Sequence, residues 1–274
     1  MKKIAVVGLG IIGGSVSAAL SAAGYSVDGS DLNAFFVDYA LQKGYIQAEC
    51  NDLSEYDVVF IAVPPSATQK LLRETPFKEG AFVADICGVK TAMQAAADEN
   101  PSSFRYIGLH PMAGKETSGI SSASSTLFKN ANLVIATRPQ TDEKTLAEAK
   151  EYASAMGFSN IVECSAETHD QKIALTSQLA HIVSNAYVKS PQVKDCHGFT
   201  GGSFQDMTRI AGVDEKLWTE LYFCNKDNLL TELENLCARL TDYASALKAG
   251  DEAKLSELLK EGRLIRETIR RPND

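Results

Sequence analysis

The chain has 274 residues, 45% of them hydrophobic and 23% charged, a composition typical of globular proteins with room for a sizeable core. Its 27 Lys and Arg against 35 Asp and Glu leave a formal net charge of −8, which argues against a nucleic-acid surface. Small anionic ligands remain open to it, because a helix N-terminus or a few local cations can bind them inside an acidic protein. No apolar run reaches the roughly 18–20 residues needed to span a bilayer. Met1-Lys2-Lys3 leads into a strand and then glycines, with no secretory cleavage pattern. Cys50, Cys87, Cys164, Cys196, Cys224 and Cys237 form no C-x-x-C pair, and His110, His169, His181 and His197 show no metal-ligand spacing. The expectation is a cytoplasmic protein with reduced thiols, no metal, and neither nucleic acid nor membrane as a partner.

In chain order, Ile4-Ala5-Val6-Val7 reads as a buried strand, followed by glycines and a small-residue helix from about Ile11 to Ala23. Tyr25 to Gly29 is predicted as the second strand and Val58 to Val63 as the third, stopped by Pro64-Pro65. Phe82-Val83-Ala84, Arg105 to Gly108, Leu133 to Ala136 and the short Ile161-Val162 complete the set. These runs are apolar throughout, as in a parallel sheet covered by crossover helices on both faces. The serine-rich stretch from Ser118 to Thr126 reads as a loop with at most a short helix. From about Ser165 strands disappear and helical patterns take over: Glu167 to Lys189, Phe204 to Ile210, Glu215 to Lys248, and Ala253 to Ile269. The predicted fold class is therefore α/β. A Rossmann-type doubly wound sheet domain over 1–164 precedes an all-α substrate-binding and dimerisation domain over 165–274. Leu217, Leu221, Leu229, Leu233, Leu236 and Leu240 recur at helical spacing and suit either a homodimer interface or an ordinary bundle core.

Gly8-Leu9-Gly10-Ile11-Ile12-Gly13 is a G-x-G-x-x-G turn between a strand and a helix. Gly8 permits the tight turn, Gly10 lets a pyrophosphate approach the backbone, and Gly13 lets the helix pack on the strand. Ile11 and Ile12 open the helix, whose free N–H groups face the anion. Asp31 follows 18 residues beyond Gly13 at the end of the second strand, where a carboxylate accepts from ribose hydroxyls and repels a 2′-phosphate. NAD is thus favoured over NADP. Val63 and Pro64 end the third strand at the edge where such ligands bind.

Three further segments carry a family likeness: Asp85-Ile86-Cys87-Gly88-Val89-Lys90, Gly108 to Glu116 (GLHPMAGKE), and Gly201 to Arg209 (GGSFQDMTR). With the glycine turn and the helix around Thr176-Ser177-Gln178-Leu179-Ala180-His181, the chain resembles the prephenate dehydrogenase family of tyrosine biosynthesis from Ile4 to about Trp218. The resemblance implies NAD-dependent oxidative decarboxylation of prephenate. It makes His110, in a loop just after a strand, the catalytic base, and Arg209 the grip on a substrate carboxylate. His181, Glu116, Lys115 and Trp218 match substrate-side positions, and Gly88 lies among the cofactor-binding ones. Lys90 reads as a first-turn surface lysine or an anion-attracting residue near the cofactor.

Two departures bear on selectivity. Gly88 stands where the family has a serine, leaving a water, a backbone N–H or Cys87 to take over, or His110 to work alone. Gln178 and Ala180 replace a histidine and a proline. Arogenate dehydrogenase or a dual cyclohexadienyl dehydrogenase is the near alternative, with Glu116 available to an ammonium group. A β-hydroxyacid dehydrogenase lacks its lysine motif here, and a non-enzymatic NAD-sensing regulator would not need His110 and Arg209 together. The two domains account for the whole length, so tyrosine control, if present, is expected to act within the catalytic core.

Overall fold

A computed structural model describes residues 2–114 and 117–269. Contacts divide it into two compact units, Met1–Lys226 and Asp227–Asp274.

The first unit is built on a seven-stranded sheet in the order β2-β1-β3-β4-β5-β6-β7. Its strands are β1 (Ile4–Val7), β2 (Val27–Ser30), β3 (Val58–Ile61), β4 (Phe82–Asp85), β5 (Arg105–Pro111), β6 (Asn132–Thr137) and β7 (Asn160–Ser165). The crossover helices are α1 (Ile11–Ala22), α2 (Ala34–Gln42), α3 (Pro65–Glu74), α4 (Thr91–Asp98) and α5 (Glu143–Ala155). β1, β3 and β4 are almost wholly buried, because helices on both faces leave these apolar runs no solvent side. The two faces carry separate cores, one around Val6, Leu20, Phe60 and Tyr152, the other around Val59, Leu72, Val83 and Met93.

The sheet is parallel except at one pairing: β6 runs antiparallel to β5. The reason is the connection. The serine-rich stretch contains only a 3-10 turn, Ile120–Ser122, and returns the chain to the adjacent position without a crossover helix. β5 consequently runs further than the sequence indicated. Its ladder with β4 ends at Gly108, but that with β6 continues through His110 and Pro111, so His110 belongs to a strand and not to the loop after it. The second strand starts at Val27 instead of Tyr25, and the third ends at Ile61.

Beyond the sheet come α6 (Ala166–Ile173), a π-helical segment (Ala174–Leu179), α7 (Ala180–Tyr187), α8 (Gly202–Thr208) and α9 (Glu215–Cys224). The single helix expected over 167–189 is therefore interrupted by a widened turn, a feature that often accompanies functional sites. The one expected over 215–248 breaks at Asn225, whose side chain is buried and donates to the Asp170 carbonyl and to Gln178 Oε1, both at 2.8 Å. α6 packs on α4 and α9 on α3, with α7 and α8 packed on each other, and the division by contacts falls after Lys226.

The second unit is a helical hairpin of α10 (Lys226–Ala249) and α11 (Glu252–Thr268). It turns at Gly250, φ 64°, with Asp251 capping α11 at the Lys254 N–H (2.9 Å). Leu240, Leu247, Leu259 and Ile265 are each more than half exposed on it.

Candidate active site

The strand order lines up the predicted site residues along one edge of the sheet. Asp31 follows β2, the glycine turn follows β1, Val63 and Pro64 follow β3, Gly88 follows β4, and His110 lies near the end of β5. Five adjacent strands spaced about 4.8 Å apart carry this row across roughly 19 Å, the reach of an extended dinucleotide. In open α/β sheets this carboxyl edge is where such ligands bind.

The glycine turn fits a pyrophosphate. A Cβ on Gly13 would stand 1.8 Å from the Gly8 carbonyl oxygen, so only glycine lets α1 approach β1 this closely. Gly8 has φ +89°, and a Cβ there would lie 2.5 Å from the Ala62 carbonyl oxygen. A Cβ on Gly10 would meet nothing within 4 Å; this glycine faces open space. No side chain caps α1, so the N–H groups of its first turn, at Ile11 to Gly13, are available to an anion. Asp31 braces the turn through Oδ2, which accepts from the Leu9 N–H at 2.6 Å, while Oδ1 accepts from the Asn33 N–H at 2.8 Å. Val63 packs against the Gly8 position, its carbonyl held by the Thr68 hydroxyl at 2.8 Å.

His110 ends a hydrogen-bonded chain that sequence reasoning missed. Its Nδ1 lies 2.8 Å from His169 Nε2, and His169 Nδ1 lies 2.7 Å from Asp170 Oδ1. The Asp170 carboxylate only accepts. It also receives the Lys90 N–H at 2.8 Å and the Thr91 N–H at 2.9 Å, capping α4. His169 therefore donates from Nδ1 and accepts at Nε2, and His110 must donate from Nδ1. Among the described residues that leaves the His110 Nε2 lone pair without a donor, on the side of Gly88. Burial first, then the electrostatic influence of His169 and Lys90, holds the His110 imidazole well below its ordinary pKa, so it is neutral. Burial also lowers His169, although the Asp170 bond acts the other way. For Asp170 burial alone would raise the pKa, but the bonds from His169, Thr91 and Lys90 outweigh it and hold the carboxyl down. The only sequence signal for this pair was a His-Asp dipeptide within the first helix after the sheet.

Lys90 is not a surface residue. It is 1% exposed, and its ammonium pairs with Asp85 Oδ1 at 2.5 Å. The Tyr106 hydroxyl and the Cys87 N–H complete the Asp85 shell at 2.7 and 2.9 Å. Cys87 is a buried core residue, and burial pushes its thiol up to about 12, so it stays protonated.

On the helical side, His181 and Trp218 lie with ring centroids 3.9 Å apart and planes tilted by 34°, and His181 Nδ1 donates to the Ser177 carbonyl at 2.9 Å. Leu221, one turn after Trp218 on α9, lies against Gly88. α8 is tied to the His181 helix by Ser184 Oγ donating to the Met207 carbonyl (2.6 Å) and Asn185 to that of Ala211 (3.1 Å). Arg209 follows directly at the end of α8, exposed. Gln178 is buried and donates to the Leu221 carbonyl at 3.1 Å, so it ties α9 in place. Lys115 and Glu116 lie outside the described residues.

A dinucleotide cradle in line with a neutral, oriented imidazole defines a nicotinamide-dependent dehydrogenase. Comparison with known proteins narrows the class. Profiles described as "Prephenate dehydrogenase, nucleotide-binding domain" and "Prephenate dehydrogenase, dimerization domain" match residues 16–162 and 165–261. The chain belongs to the prephenate dehydrogenase family. It is 28% identical to the prephenate dehydrogenase of Lactococcus lactis, the match covering 98% of this chain and 78% of that one. It is 27% identical to the cyclohexadienyl dehydrogenase of Zymomonas mobilis, over 100% and 98%. The structure of A. aeolicus prephenate dehydrogenase with hydroxyphenyl propionate and NAD+ superposes with a TM-score of 0.87 at 26% identity, covering 98% and 99%.

Proposed function

We propose that this chain is an NAD-dependent prephenate dehydrogenase that converts prephenate to 4-hydroxyphenylpyruvate and carbon dioxide. The observation that carries the reading is the Nε2 of His110, fixed by the His169–Asp170 chain at the end of the cofactor row. Gly8, Gly10, Gly13, Asp31, Val63 and Pro64 would hold NAD, which would supply the acceptor for the hydride that leaves the hydroxyl-bearing ring carbon. His110 Nε2 takes the proton of the ring hydroxyl, and His169 and Asp170 keep the resulting imidazolium hydrogen-bonded. Loss of the ring carboxylate as carbon dioxide pushes its electron pair into the ring, which becomes aromatic, and the oxygen recovers its proton from His110. Arg209 grips a carboxylate of the substrate, and the His181–Trp218 pair walls the ring.

The family profiles meet between 162 and 165, which supports dividing the chain functionally into 1–164 and 165–274. The exposed leucines of the α10–α11 hairpin, within the part matched by the dimerization profile, support a homodimer. All six cysteines are free, as suits the cytoplasm. The alternative is a dehydrogenase of arogenate or of both substrates, favoured by the likeness to a cyclohexadienyl dehydrogenase. A matrix of prephenate or arogenate with NAD or NADP, read by reduced-cofactor absorbance, decides between them. Turnover is expected with prephenate and NAD and absent in His110→Ala, which should still bind NAD; full activity in that variant would sink the proposal.

A further inference from the structure

Gly88 has a neighbour that the cofactor row does not require. A Cβ built on it would meet Leu221 Cδ2 at 3.2 Å and His110 Nε2 at 3.9 Å. A methyl group and the base nitrogen thus lie within 4 Å of one point, in the room that a side chain at residue 88 would take. Leu221 is delivered there by a helix fixed along its length. Gln178 Nε2 donates to the Leu221 carbonyl itself at 3.1 Å, and Asn225, just past α9, donates to Gln178 Oε1 and the Asp170 carbonyl. On the other side Glu220 Oε2 accepts from the Ser66 N–H at 3.0 Å, capping α3, and Gln69 reaches Cys224. Asp170 therefore anchors both the helix that carries the methyl and, through His169, the ring that carries the base.

We propose that Leu221 is a positioning residue for the oxidation: seated in the room left by Gly88, it walls His110 Nε2 off from bulk water and fixes the side from which the substrate hydroxyl reaches it. The two positions compete. A Cβ at residue 88 would stand 3.2 Å from the Leu221 methyl, so a side chain there requires Leu221 to give by a few tenths of an ångström. The inference rests on the proposed reaction for its catalytic consequence, but not for its effect on the imidazole.

The titratable and charged groups around His110 come from several elements. His169 and Asp170 lie on α6, Lys90 and Asp85 form their ion pair below, and the Cys87 thiol follows β4. β6 pairs His110 with the uncharged Val134, and α9 brings Leu221 while turning Glu220 to Ser66. Removing the Leu221 side chain changes none of these charges and admits water, so the imidazole should titrate closer to its ordinary value.

The test follows the His110 Cε1–H signal through a pH titration by NMR, assigned by its loss in His110→Asn. Leu221→Ala is expected to raise the midpoint by about one unit and Leu221→Val by less. With prephenate, Leu221→Ala should lower kcat/KM about tenfold while KM for NAD stays within about twofold. Gly88→Ser alone should lose about tenfold, and Gly88→Ser with Leu221→Ala should recover to within about threefold of the unaltered enzyme. An unmoved midpoint in both Leu221 variants, or losses that simply multiply in the double variant, would overturn the proposal. A Leu221→Ala protein that only melts earlier counts against it as well. Should the unaltered enzyme fail to oxidise prephenate, the proposed function falls while the titration still judges Leu221.

Discussion

His169→Phe tests the logic of the site most directly. The substitution keeps a ring of similar size in a position that is 2% exposed, and it removes both nitrogens. Asp170 loses one donor but keeps the Lys90 and Thr91 N–H groups at 2.8 and 2.9 Å, so the cap on α4 survives. His110 then has no acceptor opposite Nδ1, and its base-competent tautomer carries an unsatisfied N–H, which costs about 1–3 kcal/mol. At 1.4 kcal/mol per tenfold, kcat/KM for prephenate should fall by about five- to 150-fold. Steady-state rates measured by reduced-cofactor absorbance give this number, and NAD affinity should not change. Because His169 acts through His110, the double variant with His110→Asn should be no slower than His110→Asn alone. Unchanged kcat/KM in His169→Phe, or losses that multiply in the pair, would refute the tautomer argument.

Other outcomes follow from the same geometry. Both His110 and His169 have lowered pKa values in the folded protein, so the unfolded chain binds protons first as the pH falls. Their contribution to stability is complete above the ordinary imidazole value of about 6.5 and is lost below it, which acid titration of the melting temperature will show if it falls from there downward. The acidic limb of kcat/KM should likewise lie below about 6.5. Gly10→Ala should fold with an unaltered melting temperature but bind NAD at least about tenfold more weakly, since its Cβ meets only space meant for ligand. Gly13→Ala, with its Cβ 1.8 Å from the Gly8 oxygen, should lose stability and NAD binding together in calorimetry. Lys90→Met leaves Asp85 charged and buried, and should cost about 3–5 kcal/mol in denaturant unfolding.

The glycine turn, Asp31 and the strand ends after β3 and β4 were legible because each meets a requirement local to a few residues: a tight turn, a close approach, an apolar run under two layers of helix. His110 stood out only through its motif, and its setting was not legible. Gly108 and Pro111 made Arg105 to Gly108 look like the whole strand. An antiparallel neighbour, reached by a loop with no helical period, carries the ladder on to His110. Lys90 looked like a surface lysine because a first helical turn usually faces water. The Asp85 carboxylate five residues earlier draws it inward instead.

The sequence by itself determined the fold class, the cofactor edge and the kind of chemistry, since these depend on periodicity and on side chains a few positions apart. Tertiary structure decided what surrounds His110. His110 and His169 are 59 residues apart in the chain. No local pattern shows that they touch, that the second sets the tautomer of the first, or that a leucine from α9 fills the place beside Gly88. Those facts arise when α6 and α9 pack against the end of the sheet, bracketed by Asp170, Gln178 and Asn225. Packing acts across the sequence, so only the folded chain brings His110, His169 and Leu221 to one point.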